Sequence, residues 1–210
     1  MYNPPHFAEG RPEILVPLLR ERGFGTLVAC GSDGLDAAHV PMEIAQDGSA
    51  LRCHVARPNP IWKAIAETPS VLVIFPGSDH YISPSWYPAK AEHGSVVPTW
   101  NYEAIHVHGS AALFEESARL HAHLTSLTGA YEKPFAEPWA VSDAPADFIE
   151  RQMRGIVGIE VRIDRIEGKF KLGQNRSQAD REGAIAGLEA IGSPASVATA
   201  AAMREPRNRR

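Results

Sequence analysis

The sequence predicts a mainly β fold: a closed antiparallel barrel with peripheral helices. Three observations predict it. Six or more segments read as strands, with few helices between them. The turns joining them are too short for parallel crossovers, which need about a dozen residues or more. Hydrophobic residues make up 44% and charged residues 22% of 210, close to the globular average, so the chain can bury a core of its own.

The elements follow in order. Residues 11–22 (RPEILVPLLRER) have the apolar spacing of an amphipathic helix, with Pro17 able to kink it and Gly23 as its stop. GTLVAC, the turn GSDG at 31–34 and LDAAHVPMEI read as a hairpin with a four-residue loop. After a turn at 47–50, LRCHVA at 51–56 is a third strand. PNPIWKAIAE at 58–67 opens a short helix, with Asn59 as N-cap and Pro60 at the first helical position. VLVIF at 71–75 is a buried strand. Residues 76–104 read as two short strands around a structured loop, and IHVHGSAALF at 105–114 as a clear strand. Residues 115–128 form a helix, with acids in its first turn and Gly129 at its end. A short helix at 145–154 and a long strand at 156–170 follow. From about Ser177 the chain is alanine-rich and helical, interrupted at Gly192–Pro194. With no repeat and no linker, residues 1–190 read as one domain and 191–210 as a C-terminal extension with a basic tail.

The formal charge is −4, which argues against a nucleic-acid footprint over the whole surface. The last seven residues, REPRNRR, carry +3 and leave −7 on the other 203. Such a tail reads first as a solvated end and second as an electrostatic contact to nucleic acid. No apolar run approaches the ~18 residues of a membrane span, and the N-terminus lacks the pattern of a secretory leader. Cys30 and Cys53 cannot build a disulfide framework. Both read as unbonded core residues in a reducing cytoplasm.

Three local signals bear on chemistry. In Arg57-Pro58-Asn59-Pro60 an arginine stands between a strand end and a capped helix start. Helix N-termini attract anions, and a guanidinium fork matches a phosphate. His106 and His108 share one strand face, while His39 and His54 lie in other strands. No Cys, Asp or Glu accompanies them at ligand spacing, so pocket lining or a surface position is favoured and no metal site is assigned. Tyr81, Trp86, Tyr87, Trp100 and Tyr102 crowd into 22 residues. They read as packing beneath a loop or as a stacking pocket for a flat ring. There is no GxGxxG, GxxxxGK[ST] or GxSxG. His121 and His123 are two apart on their helix and do not share a face.

The peptides MYNPPHF, HVARPNPIW, YISPSWYPAK, VPTWNYEAIHVHG and GKFKLGQNRS, in this order, resemble the PaiB family of FMN-binding negative transcriptional regulators. The likeness spans nearly all of the chain to about residue 190. Gly173 and Ala89 depart from it, each standing where the family pattern has serine and so lacking a hydroxyl. The resemblance implies an antiparallel split β-barrel of the pyridoxamine-phosphate-oxidase and flavin-reductase type, a homodimer with FMN at its interface. By that similarity Arg57 falls on a phosphate-binding arginine. His39, Val40 and Pro41 fall on the strand beside the isoalloxazine, and His54, Val55 and Ala56 on the next strand. Lys90, Thr99, Trp100 and Asn101 are further cofactor candidates on the loop segment. The expected function is a regulator or flavin-linked redox sensor, with operator DNA as a partner. An FMN-dependent oxidoreductase using His106 or His108 as proton donor, and a haem-binding split barrel, are the alternatives. No catalytic residue is assigned.

Overall fold

A computed structural model describes residues 1–205. The strands are β1 (Ala8–Glu9), β2 (Phe24–Gly31), β3 (Gly34–Pro41), β4 (Glu43–Ile44), β5 (Ala50–Ala56), β6 (Ser70–Ile82), β7 (Thr99–Phe114) and β8 (Ile156–Lys171). The helices are α1 (Pro12–Arg22), α2 (Ile61–Glu67), α3 (Ala89–Glu92), α4 (Ser117–Glu132), α5 (Ala146–Arg154), α6 (Gln178–Ile191) and α7 (Pro194–Arg204). The strands form one sheet in the order β3-β2-β6-β7-β8-β5-β4, with β1 on β8. All the registered pairs are antiparallel. The mainly β, antiparallel expectation with peripheral helices holds.

Two compact units share this chain. Unit 2 comprises residues 16–75 and 107–166. Its core is built by period-two alternation: Leu27 and Ala29 of β2, Leu51, Cys53 and Val55 of β5, Val71, Val73 and Phe75 of β6, and Val157, Ile159 and Val161 of β8 are buried. Strand β7 comes close to β8 at Gly109, where a Cβ would lie 2.2 Å from the Arg162 carbonyl oxygen. A second buried cluster joins Phe114, Leu120, Val141, Ile149 and Met153. Unit 1 comprises residues 1–15, 76–106 and 167 onward. There Phe7, Ile82, Tyr87, Ile105, Phe170, Leu172, Leu188 and Met203 are buried.

Four local expectations change. The β2–β3 hairpin registers Gly31 opposite Gly34, so its loop is two residues, Ser32-Asp33, rather than four. Gly34, at φ +103°, supplies the conformation so short a turn needs. Helix α4 runs through Gly129 to Glu132, because Leu127 is buried and packing outweighs one glycine's helix penalty. Strand β6 continues through Ile82 as one strand, and β7 starts at Thr99, six residues before the clear apolar alternation. Cys30 is exposed, not core. Leu27 and Ala29 face inward, so period two turns Cys30 outward.

Pro206–Arg210, most of the basic tail, lie outside the described residues. Arg204 pairs with Glu189. Helix α7 buries Ser196, Thr199, Ala200 and Met203, and packs on α6. No helix among the described residues is long and apolar enough to cross a membrane.

These positions fix thiol behaviour. Cys30 is accessible, whereas burial pushes the Cys53 thiol up to about 12. Cys53 is therefore expected to react with a disulfide reagent only in denaturant, however fast Cys30 reacts. Two fast thiols would contradict the Cys53 placement.

Candidate functional site

Arg57 follows β5 and lies on the wall of a cavity of about 1040 Å³ in unit 2, at the upper end of the size of small-molecule sites. Leu120, Val141, Ile149 and Met153 form its apolar floor. Ser117, His121, Ser142 and Arg154 add polar groups, and Glu115 and Glu150 add carboxylates. The Arg57 side chain leaves the α2 start and turns into this wall. Its Nε donates to the Arg154 carbonyl at 2.9 Å. Its Nη2 donates to the Ile156 carbonyl at 3.1 Å and to the Glu115 carboxylate at 2.6 Å. None of these bonds uses Nη1. The two carbonyls orient the guanidinium, and Glu115 shows where an anion meets it. Both partners of that ion pair are about half exposed, so it is weak and exchangeable. At the same wall Glu116, the N-cap residue of α4, makes no side-chain cap. The first N–H groups of that helix, at Ser117 and Ala118 on the lining, are therefore uncapped.

Helix α2 starts at Ile61, one residue later than expected, and the Asn59 Oδ1 accepts from the Ile61 N–H at 3.0 Å. Pro60, not Asn59, is therefore the N-cap residue, and the Asn59 contact fills one of the donors an anion at α2 would use.

A second polar cluster of unit 2 lies under α4. His54 Nδ1 faces His123 Nε2 at 3.1 Å, and His123 Nδ1 faces Glu43 Oε2 at 3.4 Å. Ser126 Oγ donates to Glu43 Oε1 at 2.7 Å. The Phe114 ring meets His123 edge-on, with centroids 6.1 Å apart. At the ring-to-ring contact one of the two facing nitrogens carries the proton and the other accepts it. Burial, and secondly His123, holds His54 down to about 4. Burial also lowers His123, and Glu43 opposes that shift. Beside them Arg52 and Arg119 share the Glu160 carboxylate at 2.6 and 3.1 Å. Arg52 first, then Arg119, holds it below the usual carboxylate range.

The other named residues divide between the units. In unit 2 His39 is exposed, and its Nδ1 is 2.9 Å from Thr26 Oγ1. Val40 and Val55 are core, so only their backbone could meet a ligand. Pro41 is half-buried and Ala56 exposed at the strand ends. In unit 1 Lys90 is exposed and donates to Ser85 Oγ at 2.9 Å. Asn101 faces inward and donates to Met203 Sδ at 3.2 Å. Thr99 and Trp100 meet on Lys171, whose Nζ donates to Thr99 Oγ1 and, at 2.9 Å, to the Trp100 carbonyl. His106 and His108 are half-buried on one face of β7.

Sequence reasoning missed Glu115, Ser117, Ser142 and Arg154, which no motif links to Arg57. It also missed His123 and Glu43, because their meeting depends on how α4 crosses the sheet. Lys169 and Lys171 were readable as two cations on one strand face.

Comparison with known proteins gives this geometry a family context. Residues 1–165 match the family model described as "Putative FMN-binding domain". The chain is 32% identical to "Protease synthase and sporulation protein PAI 2" of Bacillus subtilis over 191 residues, 90% of this chain and 89% of that one. It is 34% identical to an uncharacterised protein of Emericella nidulans over 236 residues, 94% of each chain. Relatives are thus fungal as well as bacterial. Among solved structures it resembles the FAD and Heme binding protein from Mycobacterium smegmatis, with a TM-score of 0.61 at 17% identity, covering 86% of this chain and 80% of that one. It also resembles the Flavocytochrome Anf3 from Azotobacter vinelandii, with a TM-score of 0.56 at 12% identity, covering 78% and 69%. At these identities the likeness is one of fold, the antiparallel split barrel.

The histidine pair generates a pH dependence. The folded-state pKa of His54 lies below its ordinary value of 6.5, so on acidification the unfolded chain takes up its proton first. Stability from this group is full above pH 6.5 and is lost as pH falls toward 4, at up to ~1.4 kcal/mol per pH unit. Urea midpoints at pH 7.5 and pH 5 are expected to show the drop, and His54→Gln to reduce it. An equal drop in the variant would place the acid-sensitive group elsewhere.

Proposed function

The chain belongs to the FMN-binding family whose model its first 165 residues match, and from that premise we propose that it holds FMN with the phosphate at Arg57 and serves as a flavin-linked redox sensor in gene regulation. The observation that carries the reading is Arg57, oriented by two carbonyls into the wall of a large cavity and already holding a carboxylate on Nη2. The residues fit the group. The apolar floor suits a planar ring, and Arg57, Arg154, Ser117, Ser142 and the uncapped α4 start suit a phosphate that displaces Glu115.

Bound flavin supplies reversible electron storage. Arg57 anchors the phosphate and Arg154 adds charge. Leu120, Val141, Ile149 and Met153 exclude water from one face of the cavity. The regulatory part of the reading rests on likeness to the Bacillus subtilis protein, whose name ties it to protease synthesis and sporulation. Salt-dependent gel shifts with promoter DNA, with and without FMN, test it, and no shift at low salt in either state removes the DNA-contact version.

His121 on the same cavity wall favours a second reading, an FMN-dependent oxidoreductase with this imidazole as proton donor. Bleaching of the bound flavin by NADH or NADPH would select it. The haem reading stands last: His54 is held by His123, while His39 is bonded to Thr26 through Nδ1 alone.

The proposal extends to a homodimer, though not through the 71–75 and 105–113 strands that the sequence suggests, because these lie inside the sheet with Val71, Val73, Phe75, Ile105 and Val107 buried. The outward face of the β2–β3 hairpin pairs Phe24 with Pro41, Thr26 with His39, Val28 with Ala37 and Cys30 with Leu35. Phe24 and Leu35 are 55% and 79% exposed. A second copy covering this face by two-fold symmetry buries it. Light scattering is expected to give twice the 22.8 kDa chain mass, and a monomer at micromolar concentration would defeat the pairing.

Arg57→Ala is expected to weaken FMN by about tenfold to several-hundredfold, from hydrogen bonds to charge worth roughly 1.5–3 kcal/mol each. Riboflavin, which lacks the phosphate, is expected to bind parent and variant alike. Arg57→Lys recovers part of the loss, because an ammonium lacks the planar fork. Flavin fluorescence titration reads all three, and an unchanged FMN affinity in Arg57→Ala would place the phosphate elsewhere.

A further inference from the structure

Unit 1 carries a cationic, aromatic face that the Arg57 cavity does not use. Lys169 and Lys171 lie two residues apart on the half-buried face of β8, roughly 7 Å from each other, while Phe170 and Leu172 point into the core. Arg176 stands just beyond, in a turn where its N–H donates to the Gly173 carbonyl at 3.0 Å and where Gln174 binds the Leu172 N–H and the Phe170 carbonyl. None of the three cations has a carboxylate partner among the described residues. Of the acids around them, Glu167 binds the Met1 amine at 3.0 Å, Asp180 the Ala89 N–H and Glu182 the Gln178 amide at 2.8 Å, while Glu205 shares a pocket wall with Arg176 without pairing with it.

The cations are held in place by neutral groups. Lys171 Nζ donates to Thr99 Oγ1 and the Trp100 carbonyl, and Lys169 Nζ donates to the Tyr2 carbonyl at 2.9 Å. Lys169 Nζ lies 5.4 and 5.5 Å from the Tyr2 and Tyr102 ring centroids, and Arg176 lies 5.1 Å from that of Tyr87. Trp100 is 53% exposed, with His80 and Tyr81 at 6.5 and 6.4 Å. Burial, then repulsion from Lys169 and Arg176, lowers the Lys171 pKa. Like charges fixed together without a counter-charge are stabilised by any anion that enters among them.

We propose that Lys169, Lys171 and Arg176, beside the exposed Trp100 ring, bind a phosphate monoester carried on a planar ring. The phosphate dianion answers the three cations and the ring stacks on Trp100. The site stands on residues separate from the Arg57 cavity and does not depend on the flavin reading of it. The ring could be the flavin of FMN or the base of a second mononucleotide, and the test separates them.

Calorimetric titrations of the full chain use four probes: FMN, riboflavin, adenosine 5′-monophosphate and adenosine. The hosts are the parent, Lys171→Gln, Arg176→Gln and Arg57→Ala. Circular dichroism checks that each is folded, and either unit 1 variant alone suffices if the other fails to fold. The site requires that at least one phosphate probe bind tenfold or more tightly than its dephosphorylated partner. It also requires that this advantage be lost in Lys171→Gln or Arg176→Gln. If the nucleotide shows this pattern while FMN follows Arg57, the occupant is a second mononucleotide. If FMN follows the unit 1 variants and is indifferent to Arg57→Ala, the site holds the flavin phosphate and the Arg57 reading fails instead. The proposal is overturned if neither phosphate probe is weakened in the folded unit 1 variants, or if the dephosphorylated probes bind as tightly.

Discussion

Close approach of the two 16-residue strands β7 and β8 is the constraint on which the rest depends. Gly109 is tolerated beside the Arg162 carbonyl, and Gly158 beneath the Phe114 ring, because neither has a Cβ. With a side chain at either place the strands could not hold their spacing or Phe114 its position. Phe114 in turn anchors the cluster of Leu120, Val141, Ile149 and Met153, and that cluster is the floor of the Arg57 cavity. The cavity is therefore a consequence of strand packing in unit 2 rather than a feature of the loops around it.

Polar chemistry sits where period two turns side chains away from the core. On β5 the inward Leu51, Cys53 and Val55 leave Arg52 and His54 outward, where α4 covers them and supplies His123 and Arg119. A helix laid over a polar strand face must satisfy what it buries. The Arg52–Glu160–Arg119 group does so by pairing full charges at partly exposed positions. The Glu43–His123–His54 line does so only in part: the two rings meet at 3.1 Å, while His123 Nδ1 and Glu43 Oε2 face each other at 3.4 Å without a hydrogen bond.

On β8 the buried positions change parity along the strand. Val157, Ile159 and Val161 are inward in unit 2, whereas Gly168, Phe170 and Leu172 are inward in unit 1. The change lies between Arg162, where pairing with β5 starts, and Gly168, where β1 pairs. It turns Lys169 and Lys171 to the face that carries Tyr102 and Tyr2.

The sequence by itself determined the antiparallel, mainly β class, most of the longer strands and helices and the placing of Arg57 at a strand end, because alternation, turn residues and caps act over a few neighbours. It also carried the family likeness, in peptides such as YISPSWYPAK and GKFKLGQNRS. It misjudged Cys30 by reading an apolar segment as buried on both faces, when alternation leaves one side outward. It expected a stop at Gly129, where tertiary packing of α4 outweighs a local preference. Only the tertiary structure decided that Arg57 turns from α2 toward Glu115, that His123 meets His54 across 69 positions of chain, and that Thr99 and Trp100 close on Lys171. Such meetings depend on where a helix crosses a sheet and which face a strand presents, and those are set by the packing of the whole core rather than by any local run of residues.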